Sequence, residues 1–314
     1  MATETGEELP ASESEFFGAE DSTKERVLLW IDDRLRWLMA LPAVLILFAL
    51  TFYPLLRALQ MSTQRFLATG TEFVGFENYV DLASNDAFLN SLAVTAKFVV
   101  IAVGVEFFLG FAIALLLNKK LKLRGLWQTL ILIPMIISPT VIGLIWRLMY
   151  APNGLLDYMA TPFTGGANVG WISETSVALY SVILTDIWQW TPLVVLVLFA
   201  GLQSVPDDIS EAAVMDGASR TQRFLHITLP YLTSLIVLVL IIRVVDALRV
   251  FAKVFILTRG GPSSATNVVS MEMYRTAFRF NNFGEAAAMA VTLLVLVIVL
   301  AMSFVKIANV EFGS

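Results

Sequence analysis

Several charged residues of this chain fall inside its apolar runs. Lys97 and Glu106 lie in one run, and Arg147 is near the end of the next. Asp186 stands beside Trp188, Gln189 and Trp190 in another, and Arg243, Asp246, Arg249 and Lys253 share a fifth. A charge in hydrocarbon costs roughly several kcal/mol unless it pairs with another charge or lines a wet cavity. At 100° per residue the last four fall within about 120°, one polar stripe on an otherwise apolar helix. Counting 1.5 Å per residue from the ends of the runs puts Asp186, Arg243 and Asp246 at comparable depth. Two chemistries suit this pattern. One is a path for a polar solute, with Trp188 or Trp190 offering an aromatic face; the other is a structural ion-pair network, for instance Arg243 with Asp246. Proton coupling through Asp186, Glu106 or Asp246 is a third use of the same carboxylates.

Enzymatic chemistry has far less to work with. His226 is the only histidine, and cysteine is absent, which excludes disulfides, thiolate metal sites and thiol nucleophiles. No Gly-x-x-x-x-Gly-Lys-Ser/Thr occurs, so the chain has no P-loop for nucleotide phosphates. Neither zinc spacing nor a nucleophile–base set is legible, so a membrane-embedded transferase or protease lacks its parts. No catalytic residue, metal ligand or nucleic-acid surface is expected.

One polar island separates two long apolar runs: Glu211-Ala-Ala-Val-Met-Asp-Gly217, followed by Ser219 to Pro230. Pro206 suits the first turn of a helix, where a missing N–H costs nothing. Asp207, Asp208 and Glu211 place negative charge at that helix's positive end. Gly217 can take positive φ and end it, and Ser219 can cap a second short helix from Arg220 to His226. The spacing predicts a bent helix pair that is wet or covered by another protein. The small residues Ala212, Ala213, Gly217 and Ala218 permit close approach, and Glu211 offers a carboxylate to a basic partner.

These features sit in a chain of 314 residues, 57% hydrophobic and 15% charged, against about 25% charge in a typical soluble domain. The composition implies a bilayer protein. Its formal charge of −5 splits into −7 for residues 1–25, where eight acidic residues face Lys24 alone, and +2 for the rest. Residues 1–25 read as a disordered acidic tail and 26–37 as an interfacial helix. A six-span membrane domain is expected over 38–310. Six runs reach the roughly 20 residues needed to cross hydrocarbon: 38–59, 91–117, 126–150, 176–203, 231–257 and 286–308. Lys119, Lys120, Lys122 and Arg124, with Lys24, Arg26, Arg34 and Arg36, put both termini and the 204–230 loop in the cytoplasm by the positive-inside rule. Pro134, Pro139 and Pro192 predict kinks.

The island's spacing, Glu211-Ala-Ala, three residues, Gly217, nine residues, Ile227-x-Leu229-Pro230, resembles the cytoplasmic EAA loop of ABC importer permease subunits. Further stretches are similar to the first permease subunit of the maltose, trehalose and glycerol-3-phosphate uptake type. They are Phe73-Val-Gly-Phe-Glu-Asn-Tyr79, Val141 to Arg147 with Asn153-Gly-Leu155, Asp186 to Pro192 with Ala200 to Gln203, and Leu257-Thr-Arg-Gly-Gly-Pro262 with Thr266, Tyr274 and Phe278. The resemblance implies an all-α membrane protein with the six transmembrane helices of the type I ABC importer permease fold, in a prokaryotic plasma membrane. It implies a heterodimer with a second permease subunit, two cytoplasmic ATP-binding subunits that hold ATP and Mg, and an extracytoplasmic solute-binding protein; this chain itself takes no cofactor. By the same analogy Glu211, Ala212, Ala213, Asp216, Gly217, Ile227, Leu229 and Pro230 couple to the ATPases. Asp186, Trp188, Gln189, Trp190, Leu193, Arg243, Asp246, Ala247, Arg249 and Val250 line the solute path, and Gly260, Gly261 and Pro262 meet the binding protein. The solute expected is a carbohydrate. A neutral mono- or disaccharide suits paired Arg and Asp with Trp, whereas an unpaired Arg243 would suit an anionic sugar.

Overall fold

The computed structural model describes the backbone of residues 11–67, 70–119 and 121–308; the side chains of 11–29, 31–34, 36, 38, 207, 210, 307 and 308 lie outside the description. Two units divide the chain, 1–57 and 58–314. The first is helical: α1 (Ala11–Ser62) runs unbroken from the acidic segment through the first apolar run. Helical backbone covers residues 11–25 of the expected tail and continues from the expected interfacial helix into the first span. The cause is local. Between Pro10 and Pro42 there is no proline, and Ala, Glu, Lys, Leu and Arg, good helix formers, dominate. Residues 1–10 of the expected tail, and Lys120 of the orienting cluster, lie outside the described residues.

The second unit opens with a β-hairpin, β1 (Gln64–Leu67) and β2 (Gly70–Phe73), in register Gln64↔Phe73 and Leu67↔Gly70. The all-helical expectation is corrected to that extent. After α2 (Glu77–Ser84), α3 (Asp86–Leu117) begins where Asn85 accepts hydrogen bonds from the Ala87 and Phe88 amides. This cap starts the helix five residues before the predicted span. Helices α4 (Arg124–Ile136) and α5 (Pro139–Met149) occupy the third predicted span, but they bend by 96° at their junction. Ile137 and Ser138 are extended, and Pro139 opens α5. A residue before proline disfavours the helical region, which turns the predicted kink into a break. Then come α6 (Leu155–Thr164), α7 (Ala178–Gln203), α8 (Asp207–Met215), α9 (Arg220–Arg223), a π-helical turn (Phe224–Thr228), α10 (Leu229–Leu248), α11 (Ala252–Leu257), α12 (Val269–Phe278) and α13 (Phe283–Ala308).

Among the described residues four helices are long and apolar enough to cross a membrane, within α1, α3, α7 and α13, or five spans if the bent α4–α5 pair is one. The fifth predicted run, 231–257, is split instead: α10 ends at Leu248, and Arg249 to Phe251 separate it from α11. Its polar stripe is accordingly divided between two helices.

Helix α7 is the centre of the second unit. Its residues Val182, Ile183 and Ile187 join Phe98 and Ala102 of α3 in one core, and Val194, Leu198 and Leu202 join Ala114, Leu117, Leu232 and Val239 in another. A Cβ at Gly110 would lie 2.7 Å from the Val194 Cβ, so only glycine lets α3 approach α7 this closely. Both helix breaks expose backbone carbonyls, which a membrane protein must satisfy internally. Gln189 of α7 donates from Nε2 to the Ile137 carbonyl at 3.0 Å, and Ser270 of α12 donates from Oγ to that of Val250.

Candidate functional site

Four elements deliver charge to one point. Arg243 of α10 is 1% exposed and donates Nε to Glu106 Oε2 at 2.7 Å and Nη2 to Glu106 Oε1 at 3.0 Å. The same Nη2 reaches Asp186 Oδ2 of α7 at 2.9 Å, and Nη1 reaches Asp246 Oδ2 at 2.8 Å. Lys253 of α11 donates to the other Asp186 oxygen. Trp190 presents its ring to both cations, 5.0 Å from the Arg243 guanidinium carbon and 5.8 Å from Lys253 Nζ. Arginine's planar fork serves several carboxylates at once, which a lysine's point charge does not do. Three carboxylates and two cations leave a formal excess of one negative charge. Four members are buried; the Asp246 side chain is 45% exposed and is the one that looks out.

Asp246 looks into a cleft of about 290 Å³, walled by Trp190, Pro139, Arg249, Val250 and Phe251, with Asp186 and Lys253 at its base. The cleft lies where the two helix breaks, 137–138 and 249–251, come together. Of the residues expected along a solute path, Asp186, Trp190, Asp246, Arg249 and Val250 line this cleft, and Arg243 lies behind it. The others are elsewhere. Trp188 packs edge-on against Trp146 at 5.7 Å, and Gln189 is buried on the Ile137 carbonyl. Leu193 packs against the second core, and Ala247 lies within the first. An unpaired Arg243 is overturned, since all three of its nitrogens are engaged. Glu106 and Lys253, absent from the expected path, complete the cluster. Their signal was present in the sequence as charges inside apolar runs, without the rotational register that pairs them. Lys97 instead lies over the Tyr180 ring at 4.9 Å, and Arg147 donates to the Ile256 carbonyl.

The 204–230 island has a different character. Pro206 is the N-cap of α8, directly before its first turn, and Gly217 has φ +80° just past its end. Only glycine takes that conformation without strain. Ser219 caps α9 in a reciprocal capping box with Gln222. The second helix does not stop at His226, as expected. Helix α9 passes through the π turn into α10, so helical backbone is continuous from Arg220 to Leu248. Pro230 explains the π turn: proline clashes with the carbonyl four residues earlier, and a wider turn relieves it. Glu211, Ala212, Asp216, Gly217 and Pro230 are exposed, and Ala213, Ile227 and Leu229 half-buried. Beside them Val214 and Met215 are exposed apolar side chains, Met215 at 87%. The Asp207 side chain lies outside the described residues. At Gly260 to Pro262, Thr266 donates to the Gly261 carbonyl at 2.7 Å and meets the Thr258 hydroxyl at 2.6 Å, so this loop is held from within.

Membrane-length helices, a buried charge cluster beside a cleft, and a protruding helical bend are the features of a transport permease. The chain belongs to the family of binding-protein-dependent transport system inner membrane components, which matches residues 106–309. It is 35% identical over 289 residues to the trehalose/maltose transport system permease protein MalF of Thermococcus litoralis, covering 91% of this chain and 96% of that one. It is 34% identical to the trehalose transport system permease protein SugA of Mycobacterium tuberculosis, covering 87% and 88%. Among solved structures it resembles a subunit of a bacterial ABC transporter involved in import of the acidic polysaccharide alginate, with TM-score 0.78, 23% identity, and coverage of 91% and 99%. The fold is that of a type I ABC importer permease.

Proposed function

We propose that this chain is one of two different permease subunits of an ATP-driven sugar importer, with both termini and the 204–230 loop in the cytoplasm. Two partner ATPases bind and hydrolyse ATP with Mg, one of them gripping the loop around Glu211 and Gly217. An extracytoplasmic binding protein delivers the solute on the face that carries Gly260 to Pro262. The continuous helix from Arg220 to Leu248 carries this reading. Movement of the loop by a partner is movement of α10, and α10 holds Arg243 and Asp246 at the cleft.

The solute is a neutral mono- or disaccharide. Two relatives are named for trehalose or maltose, and the Arg243 charge is already met by three carboxylates, which leaves it poorly suited to an anion. Asp246 and Arg249 at the cleft rim supply hydrogen-bond groups for hydroxyls, as a sugar requires. The test is uptake by proteoliposomes holding the whole importer. Labelled trehalose or maltose should accumulate only with ATP and binding protein. Accumulation driven by a proton gradient without ATP would overturn the coupling. A binding protein, encoded beside this subunit, that is thermally stabilised only by acidic sugars would overturn the solute class.

A further inference from the structure

A second groove, of about 250 Å³, opens between α3, α4 and α7, away from the charge cluster and at the end of the helices that carries the 204–230 loop. Its walls are apolar, with Leu117, Ile131, Leu132, Leu196 and Phe199 prominent. At the Phe199 wall stands Arg124, the first residue of α4. Its guanidinium carbon lies 4.4 Å from the Phe199 ring centre, and its Nε and Nη2 are buried with no hydrogen-bond partner among the described residues. Lys119 and Lys122, both exposed, lie in the same turn, and Trp127 on the next turn of α4 is 52% exposed.

A half-buried guanidinium with two buried nitrogens that lack acceptors is costly unless an anion completes it. An apolar groove leading away from that anion calls for a hydrocarbon chain. Tryptophan is enriched at the headgroup level of a bilayer, and basic pockets between spans on the cytoplasmic side suit anionic headgroups. We infer that this groove holds an anionic phospholipid, its phosphate on Arg124 and one acyl chain along Leu132, Leu196 and Phe199. The orientation proposed above determines only which leaflet supplies it.

The test uses the purified whole importer in detergent, exchanged into nanodiscs of equal phosphatidylglycerol and phosphatidylcholine, with co-purifying lipid read by native mass spectrometry. Wild type should retain phosphatidylglycerol preferentially, and Arg124→Gln should retain roughly five-fold less. Ala200→Trp, which fills the groove and leaves the cation in place, should lose the lipid as well. Lys306→Gln, a cation elsewhere, should change nothing. Equal retention of the two lipids, or no change in Arg124→Gln, would overturn the assignment. So would competition by inorganic phosphate alone, or a photo-crosslinker at Leu196 labelling a neighbouring protein helix in place of lipid. None of these readouts depends on sugar transport, so their failure is distinct from failure of the proposed function.

Discussion

The charge cluster and the 204–230 bend carry similar residue types and treat them in opposite ways. At the cluster, Glu106, Asp186, Arg243 and Lys253 are buried and mutually paired. At the bend, Glu211, Asp216 and Arg220 are exposed, with Met215 and Val214 uncovered beside them. A buried charge without its partner is among the most destabilising defects a protein can carry, whereas an exposed one contributes little to stability. The cluster's side chains are therefore committed to the fold, and those of the bend remain available to another molecule. Substitutions in the two regions should separate stability from activity.

The largest effect is expected from Arg243→Leu, which strands Glu106 in the interior and leaves Asp186 with Lys253 alone. The loss should be about 3–5 kcal/mol, seen as a marked drop in the thermal unfolding midpoint of the purified importer. Arg243→Leu combined with Glu106→Leu should be less destabilised than Arg243→Leu alone, because one stranded charge is gone. Additive losses would break the paired-cluster account. Next in size, Ser219→Ala should cost about 1 kcal/mol locally, read as faster amide exchange at Gln222 with little change in global unfolding. Asp246→Asn, half-exposed, should shift stability by under about 1 kcal/mol while weakening solute uptake. Smallest in stability is Glu211→Ala, expected within about 0.5 kcal/mol of wild type, yet uptake and solute-stimulated ATP hydrolysis should both fall. Normal transport in that variant would remove the distinction between the regions.

Much of this contrast was legible in the chain. Charges interrupting apolar runs marked the cluster, and depth counting placed Asp186, Arg243 and Asp246 together. Pro206, Gly217 and Ser219 marked the bend through their local chemistry. The misses have a common physical origin in tertiary contacts. Glu106 pairs with Arg243 through the rotation of α3 against α10, which no single-helix periodicity contains. The break at Arg249 to Phe251 has neither proline nor glycine; Ser270, from a distant helix, satisfies the carbonyl it frees. Gln189 has the sequence neighbourhood of a solute-path residue but closes the break at Ile137. The continuity of α9 with α10 runs through Pro230, which a π turn absorbs.

The central claim is that the bend is a handle for an energy-supplying partner, joined rigidly to the helix that holds the cluster. The chain has no cysteine, so Met215→Cys gives a single reactive thiol in this subunit. In the assembled importer, a maleimide–succinimide cross-linker at that position should join this chain to its nucleotide-hydrolysing subunit. The same reagent at Phe163→Cys, exposed at 92% on α6, should not. If the thiol at 215 is freely labelled in the intact complex and never joined to that subunit, the account is contradicted.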